Sequence, residues 1–269
     1  MVERSDERPV VRIESGQRKP TKDLMARERA LSLSVEDAAG KIVEYGILMR
    51  TPGDDEALVI GLLHSEGIIS NPADVADSHV LADAAFITLS ASAADLPSSR
   101  HLTATAACGI CGRAGAPSTM IPSAPENSDG PRVTHSSLVQ MLGAMRTAQS
   151  LFDDTGGVHA VARFSPDGRM IDLSEDVGRH NAFDRIVGRA LLRSQLPLAD
   201  EIVLLSGRIS YEMVEKAVRA GVSVLAAVGA ATSLSVDVAR AHGLTLVTFL
   251  TDSRCNICSA GHRIIDDQD

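Results

Sequence analysis

From Ser136 to Phe249 the chain switches repeatedly between short apolar runs and longer segments with a single apolar face, most switches falling at glycine or a polar turn. Leu138, Met141, Leu142, Met145 and Leu151 recur at helical spacing over 136–152. Val158–Phe164 follows as a strand, and Pro166-Asp167-Gly168 turns it into Met170–Leu173. Asn181–Leu192 has the apolar face of a helix, and Glu201–Leu205 is apolar enough for a buried strand. Tyr211–Ala220 then predicts a helix ended by Gly221, Val222–Val228 a strand, Ser233–His242 a helix and Leu244–Phe249 a strand. Strand and helix alternating over short connections build a parallel or mixed sheet with helices packed on it, so the expected class is α/β.

In such a sheet ligands gather beyond the carboxyl ends of the strands. Those ends carry Ser206-Gly207-Arg208, Ala230–Ser233 and Thr251–Arg254. Together they predict a rim of donors and cations suited to an anionic or nucleotide ligand. The alternative is that all three are merely solvated turns.

The first part of the chain has a different character. Leu31–Val35, Ile42–Met49 and Phe86–Ser90 are strand-like, and Thr51–Asp55 starts a helix carrying Leu58, Ile60, Leu62 and Leu63. Residues 117–131 are rich in proline and serine and mark the expected boundary. The division is a flexible polar arm over 1–27, a smaller strand-rich domain over 28–130 and an αβα domain over 131–269, α+β overall.

Composition excludes several classes. A formal charge of −9 disfavours broad contact with a nucleic-acid backbone, and 3% aromatics without tryptophan disfavours stacking on single strands. No window approaches the roughly 18 uninterrupted apolar residues of a membrane span, and the start lacks an apolar signal-type run. A cytoplasmic protein with free thiols is expected.

Two of the four cysteines stand three apart between glycines in Cys108-Gly109-Ile110-Cys111-Gly112, and Cys255 and Cys258 repeat the spacing. Such pairs serve as redox dithiols, as halves of zinc sites or as carriers of sulfur. A four-cysteine zinc site has the right ligands, but its pairs usually lie about 15–20 residues apart, far closer than here. Gly156–Val161 resembles half of a zinc deaminase motif, with Val161 standing where the proton-shuttling glutamate must be and the CGIC pair before His159 instead of after it. Gly112–Pro117 cannot readily sustain the helix that follows a thioredoxin-type pair. Sulfur relay suits an exposed, glycine-flanked thiol, with Arg113 nearby to favour the thiolate; a zinc-stabilised binding module stands as the alternative.

These residues resemble the FdhD family of sulfur-carrier accessory proteins for formate dehydrogenases. The resemblance lies in Thr103–Gly112, Gly156–His159, Glu175–Asp184, Ser206–Met213, Ala230–Ser233 and Leu62–Ile69, in the family's order over about residues 28 to 265. It implies a persulfide on Cys108, with Cys111 as an auxiliary thiol. The sulfur would come from a cysteine desulfurase. It would go to the molybdenum (or tungsten) bis-guanine-dinucleotide cofactor, a bound acceptor, before insertion into formate dehydrogenase. It further implies a homodimer, no permanently bound metal and a C-terminal domain of cytidine-deaminase-like type. The family's nucleotide-binding stretch maps onto Phe249, Leu250, Thr251, Asp252, Ser253 and Arg254, where this chain lacks the family's usual basic residue and glycine at Thr251 and Ser253. Arg179 would hold a cofactor phosphate or pair with Asp176 or Asp184, and His180 is ligand-facing or a satisfied structural histidine.

Overall fold

The computed structural model describes residues 2–93, 96 and 129–267. Cys108, Cys111 and most of the proline- and serine-rich segment lie outside the described residues.

Four strands and one helix make the first body. β3 (Arg29–Glu36), β4 (Ile42–Arg50), β5 (Val75–Val80) and β6 (Ala84–Leu89) form a sheet in the order β4-β3-β6-β5, with β3 and β6 parallel. α1 (Asp55–Ser65) is apolar on nearly every side, which for a helix of this length means burial all round. Leu58, Leu62 and Leu63 join Leu31, Leu33, Val35, Tyr45 and Ile87 in one core, while the opposite side of α1 is pressed against a helix of the second body.

The second body is built on six strands in the order β13-β12-β11-β10-β8-β9. They are β8 (His159–Phe164), β9 (Met170–Asp176), β10 (Ile202–Leu205), β11 (Val224–Ala227), β12 (Thr245–Thr248) and β13 (Asn256–Ser259). β10, β11 and β12 are parallel, and β8, lying between β9 and β10, is antiparallel to both. Every residue of β10, β11 and β12 is buried, so both faces need covering. Val203, Leu205, Leu225 and Leu246 meet α4 (Arg179–Leu192), α5 (Tyr211–Arg219) and α6 (Ser233–Ala241). Their neighbours Ile202, Leu204, Val224 and Val247 face the other way, onto Leu138, Met141 and Met145 of α2 (His135–Ala148). The two-residue period of a strand thus sorts consecutive apolar side chains to opposite helical layers. α3 (Ser150–Thr155) follows α2 at Gln149, and a short parallel pair joins β7 (Val133–Thr134) to β14 (Ile264–Ile265).

Residues 1–27 differ from the loose arm that their polarity predicts. β1 (Ser5–Glu14) and β2 (Gln17–Ala26) pair along their whole length around Ser15 and Gly16, both at positive φ, the geometry of a tight two-residue hairpin turn. Charge hid the pairing. Glu7–Lys22 (2.6 Å), Glu14–Lys19 (3.3 Å) and Arg12–Asp23 (3.6 Å) link the strands, so the apolar–polar alternation of a half-buried strand never appears. At the base, Arg4 donates to the Glu175 carbonyl (2.6 Å) and fixes the hairpin to the second body.

Candidate functional site

The carboxyl ends of β9, β10, β11 and β12 open on one edge, where the N-termini of α4, α5 and α6 also lie. The three predicted loops meet there and are laced by backbone hydrogen bonds. Ile209 N donates to Ala230 O (2.9 Å), Gly229 N to Gly207 O (3.2 Å) and Phe249 N to Gly229 O (3.2 Å). Gly229 is needed for this approach, because a Cβ there would sit 2.8 Å from the Gly207 carbonyl carbon and 2.9 Å from Arg208 Cα.

The loop from Phe249 to Arg254 is part buried anchor and part exposed edge. Leu250 is buried in the α2-side core, and His135 Nε2 donates to the Thr251 carbonyl (2.9 Å). Thr251 N donates to Arg254 O (2.9 Å), and Thr251 Oγ1 accepts from Arg254 N (3.2 Å), closing a turn that leaves Asp252, Ser253 and Arg254 in solvent. Phe249 takes φ +51°, a left-handed conformation that a bulky side chain adopts only under constraint, and its ring is 40% exposed.

Next to the rim, on the α2 side of the sheet, lies a cavity of about 550 Å³. Leu142, Met145, Phe152, Val158 and Val228 give it apolar walls. Gln149, His159 and Ser206 supply polar groups, and Arg146 lies 4.8 Å above the Phe152 ring. Burial, then the positive charge of Arg179, lowers the pKa of His159, so its imidazole is neutral near pH 7.

Glu175–Asp184, the most distinctive run in the sequence, divides its labour. Asp176 is fully buried and accepts from Thr51 N (3.0 Å), Gly178 N (2.8 Å), Asn181 Nδ2 (2.9 Å) and Arg185 Nη1 (2.5 Å). Asn181 also donates to Met49 O (2.8 Å) and Arg185 to Thr51 O (2.5 Å). Asp184 accepts from Ser65 Oγ (2.7 Å) and from Lys216 Nζ (2.6 Å). Burial pushes the Asp184 carboxyl up, opposed by Lys216 and Ser65. These residues bind the first body to the second. Asp176 is thus held by Arg185 and Asp184 by Lys216.

Only the start of α4 looks onto the rim. A Cβ on Gly207 would lie 3.3 Å from His159 Nδ1 and 3.9 Å from Arg179 Cδ, which places that histidine and arginine beside the β10 loop. His180 Nε2 lies 3.4 Å from Glu212 Oε2 on α5. Burial lowers His180 to about 3 and raises Glu212 to about 7, so near neutrality the histidine is uncharged and the carboxyl is half protonated.

The sequence profile of the FdhD/NarQ family matches residues 26–265. The chain belongs to the FdhD/NarQ family. A relative from Streptomyces coelicolor, called sulfur carrier protein FdhD, is 39% identical over 97% of this chain and 95% of its own. Another of that name from Picrophilus torridus is 35% identical, covering 92% and 94%. A solved structure described as that of a formate dehydrogenase accessory protein from Desulfotalea psychrophila superposes with a TM-score of 0.76. It covers 97% of this chain and 99% of its own, at 23% identity, and shows the shared fold.

Of the cysteines in this FdhD/NarQ family member, the structure places Cys255 and Cys258. Cys255 packs against the core on the α2 face of the sheet and Cys258 against the core on the α4–α6 face. Two thiols on opposite faces do not converge on one ion. No group of three or more potential metal ligands occurs among the described residues. Burial raises the Cys255 pKa and makes it a poor nucleophile. The residues missed in the sequence are Gln149, which stands between two helical runs, and Glu212, whose partner lies on another helix.

Proposed function

We propose that this FdhD/NarQ family member is a sulfur carrier that serves formate dehydrogenase. Its Cys108 thiolate attacks the sulfane sulfur of a cysteine desulfurase persulfide. The donor's S–S bond breaks, the donor leaves as a thiolate, and the sulfur stays on Cys108 with no net oxidation. Cys111 is the auxiliary thiol. The acceptor is a molybdenum bis-guanine-dinucleotide cofactor, held at the rim by Phe249–Arg254 as cargo and passed on to the dehydrogenase. A cytoplasmic homodimer belongs to the same reading. The protein would contribute positioning and exclusion of water more than acid–base catalysis.

The observation that carries this reading is the family match over nearly the whole chain with relatives named sulfur carriers. The CGICG segment, and a rim whose loops and helix N-termini suit an anionic ligand, support it. The reading is tested by intact-protein mass spectrometry after incubation with a cysteine desulfurase and cysteine, followed by peptide mapping. A gain of one sulfur, about 32 Da, that reductant removes is expected on the Cys108 peptide and is absent in Cys108→Ala. A Cys108→Ala chain that is folded and still activates its client would sink the proposal.

A further inference from the structure

Between α4 and α5 the chain builds a ladder of two rungs. His180 and Asp184 stand one turn apart on α4, and Glu212 and Lys216 one turn apart on α5, so each helix turns a pair of polar groups to the other. The inner rung is closed. Lys216 Nζ donates to both oxygens of Asp184 (2.6 and 2.7 Å), and Ser65 Oγ adds a third donor (2.7 Å). The outer rung, at the rim, is open. His180 Nε2 lies 3.4 Å from Glu212 Oε2, yet this buried nitrogen has no hydrogen-bond partner among the described residues. One proton on the carboxyl closes the rung, through an O–H donated to the accepting nitrogen of a neutral imidazole. Burial favours that state, because neither group is charged in it. The charged and titratable groups that act on the pair are Lys216 and Glu215 on α5, Arg179 on α4, Glu66 at the end of α1 and His159 on β8.

Glu212 sits in the first turn of α5, where the helix dipole favours a negative charge. Neither α4 nor α5 has a side-chain cap at this end. An anion settling at the rim beside Arg179 takes over the same electrostatic role and offsets the charge of that arginine. A carboxylate at Glu212 and the anion then repel each other, and a proton on the carboxyl relieves the repulsion. We propose that Glu212 and His180 form a one-proton store that fills as the rim takes up its anionic ligand. Glu212 carries the proton and His180 positions it; neither needs to touch the ligand. This rests on the reading of the rim as a nucleotide site and adds its regulation, with the ligand held below neutrality and released more readily as pH rises.

Calorimetric titration of the full chain with GDP, in two buffers of different ionisation enthalpy, counts the protons exchanged on binding. At pH 7 the parent should take up about 0.3–0.5 proton more than Glu212→Gln, whose amide does not titrate. Between pH 6 and pH 8 the parent's affinity should fall at least about threefold relative to that variant, since the titration of GDP itself is common to both. Far-UV circular dichroism establishes that the variant is folded. A ¹³C spectrum of the parent labelled at its glutamate carboxyls needs no variant. One carboxyl titrating at about 7 should shift its midpoint upward when GDP is added, and an unmoved midpoint would overturn the proposal. Equal proton counts in the parent and Glu212→Gln, with GDP bound by both, would overturn it too and leave the nucleotide reading standing. A parent that binds no GDP between pH 6 and pH 8 would overturn the nucleotide reading and this proposal with it.

Discussion

The seam between α1 and α4 and the rim of the six-stranded sheet draw on the same run of sequence and solve opposite problems. In the seam, ionised groups are removed from water and each is matched: Asp176 by four donors, Asp184 by Lys216 and Ser65. At the rim the exposed cation Arg208 has no ion pair among the described residues. Matched buried polarity fixes two bodies in one arrangement, while unmatched polarity at a cleft is left for a ligand. The same residue types therefore predict different mutational outcomes in the two places.

The largest expected effect is at Asp176. Replacing it with alanine leaves the Arg185 guanidinium, in a site that is 2% exposed, with the more distant Asp55 (3.6 Å) as its carboxylate partner, and frees the Thr51 corner. Breaking a buried pair from one side costs about 3–5 kcal/mol. Urea unfolding should show a loss of that size, and a loss below about 1 kcal/mol would mean the seam is not what joins the two bodies.

Next comes the helix crossing itself. A Cβ on Gly61 would lie 2.8 Å from Gly188 N and still closer to the Asp184 carbonyl, so the axes of α1 and α4 must separate to admit it. Gly61→Ala is expected to cost about 1–3 kcal/mol through overpacking. Gly143 on α2 has open space around it, and Gly143→Ala should instead stabilise by about 0.5–1 kcal/mol. Thermal unfolding of the two variants sharpens the contrast, since the same methyl group is added to two helices.

What was legible in the sequence follows this division. The strands and helices from Ser136 to Phe249 were readable because the sheet hides both faces, so periodicity and glycine punctuation coincide with the fold. The loops beyond β10, β11 and β12 were readable as a rim from fold logic alone. The β1–β2 hairpin was not, because its cross-strand partners are ions instead of an apolar face. Nor was the division of Glu175–Asp184 into seam and rim, since Met49, Thr51 and Ser65 lie more than a hundred residues away in the chain. Val161, which stands where the deaminase motif has its glutamate, lies in the core under α4–α6. Cys108 and Cys111, the residues on which the proposed chemistry rests, were found by motif alone.

A smaller effect should appear where seam and rim meet, at Glu212. Its folded pKa of about 7 stands above the ordinary 4.5, so the folded chain holds the proton more tightly than the unfolded one. That contribution to stability is complete below pH 4.5 and is lost as pH rises through about 7. His180, lowered from 6.5 to about 3, runs the other way: its contribution is present above pH 6.5 and is lost as pH falls towards 3. Glu212→Gln removes the first dependence only. Relative to the parent, the variant should gain about 1–2 kcal/mol in unfolding free energy between pH 5 and pH 8, after discounting for partial solvation. A difference that is flat across that range would show that the Glu212 carboxyl titrates as it would in water.

The smallest stability effect, and the sharpest test of the comparison, is at Phe249. Glycine relieves the left-handed backbone, an effect of about 1–2 kcal/mol, but the freer unfolded chain offsets roughly half or more of that, and little packing is lost from a ring already 40% exposed. Phe249→Gly should thus change stability by less than about 1 kcal/mol in either direction. If the rim is a ligand edge, the same variant should weaken GDP binding by tenfold or more, because a strained aromatic kept in solvent has a use only when something covers it. A seam residue behaves in reverse, with unfolding first and any loss of binding only as its consequence. Measuring both quantities on Phe249→Gly and on Gly61→Ala separates a residue held for its contact with a ligand from one held for its contact with the rest of the chain.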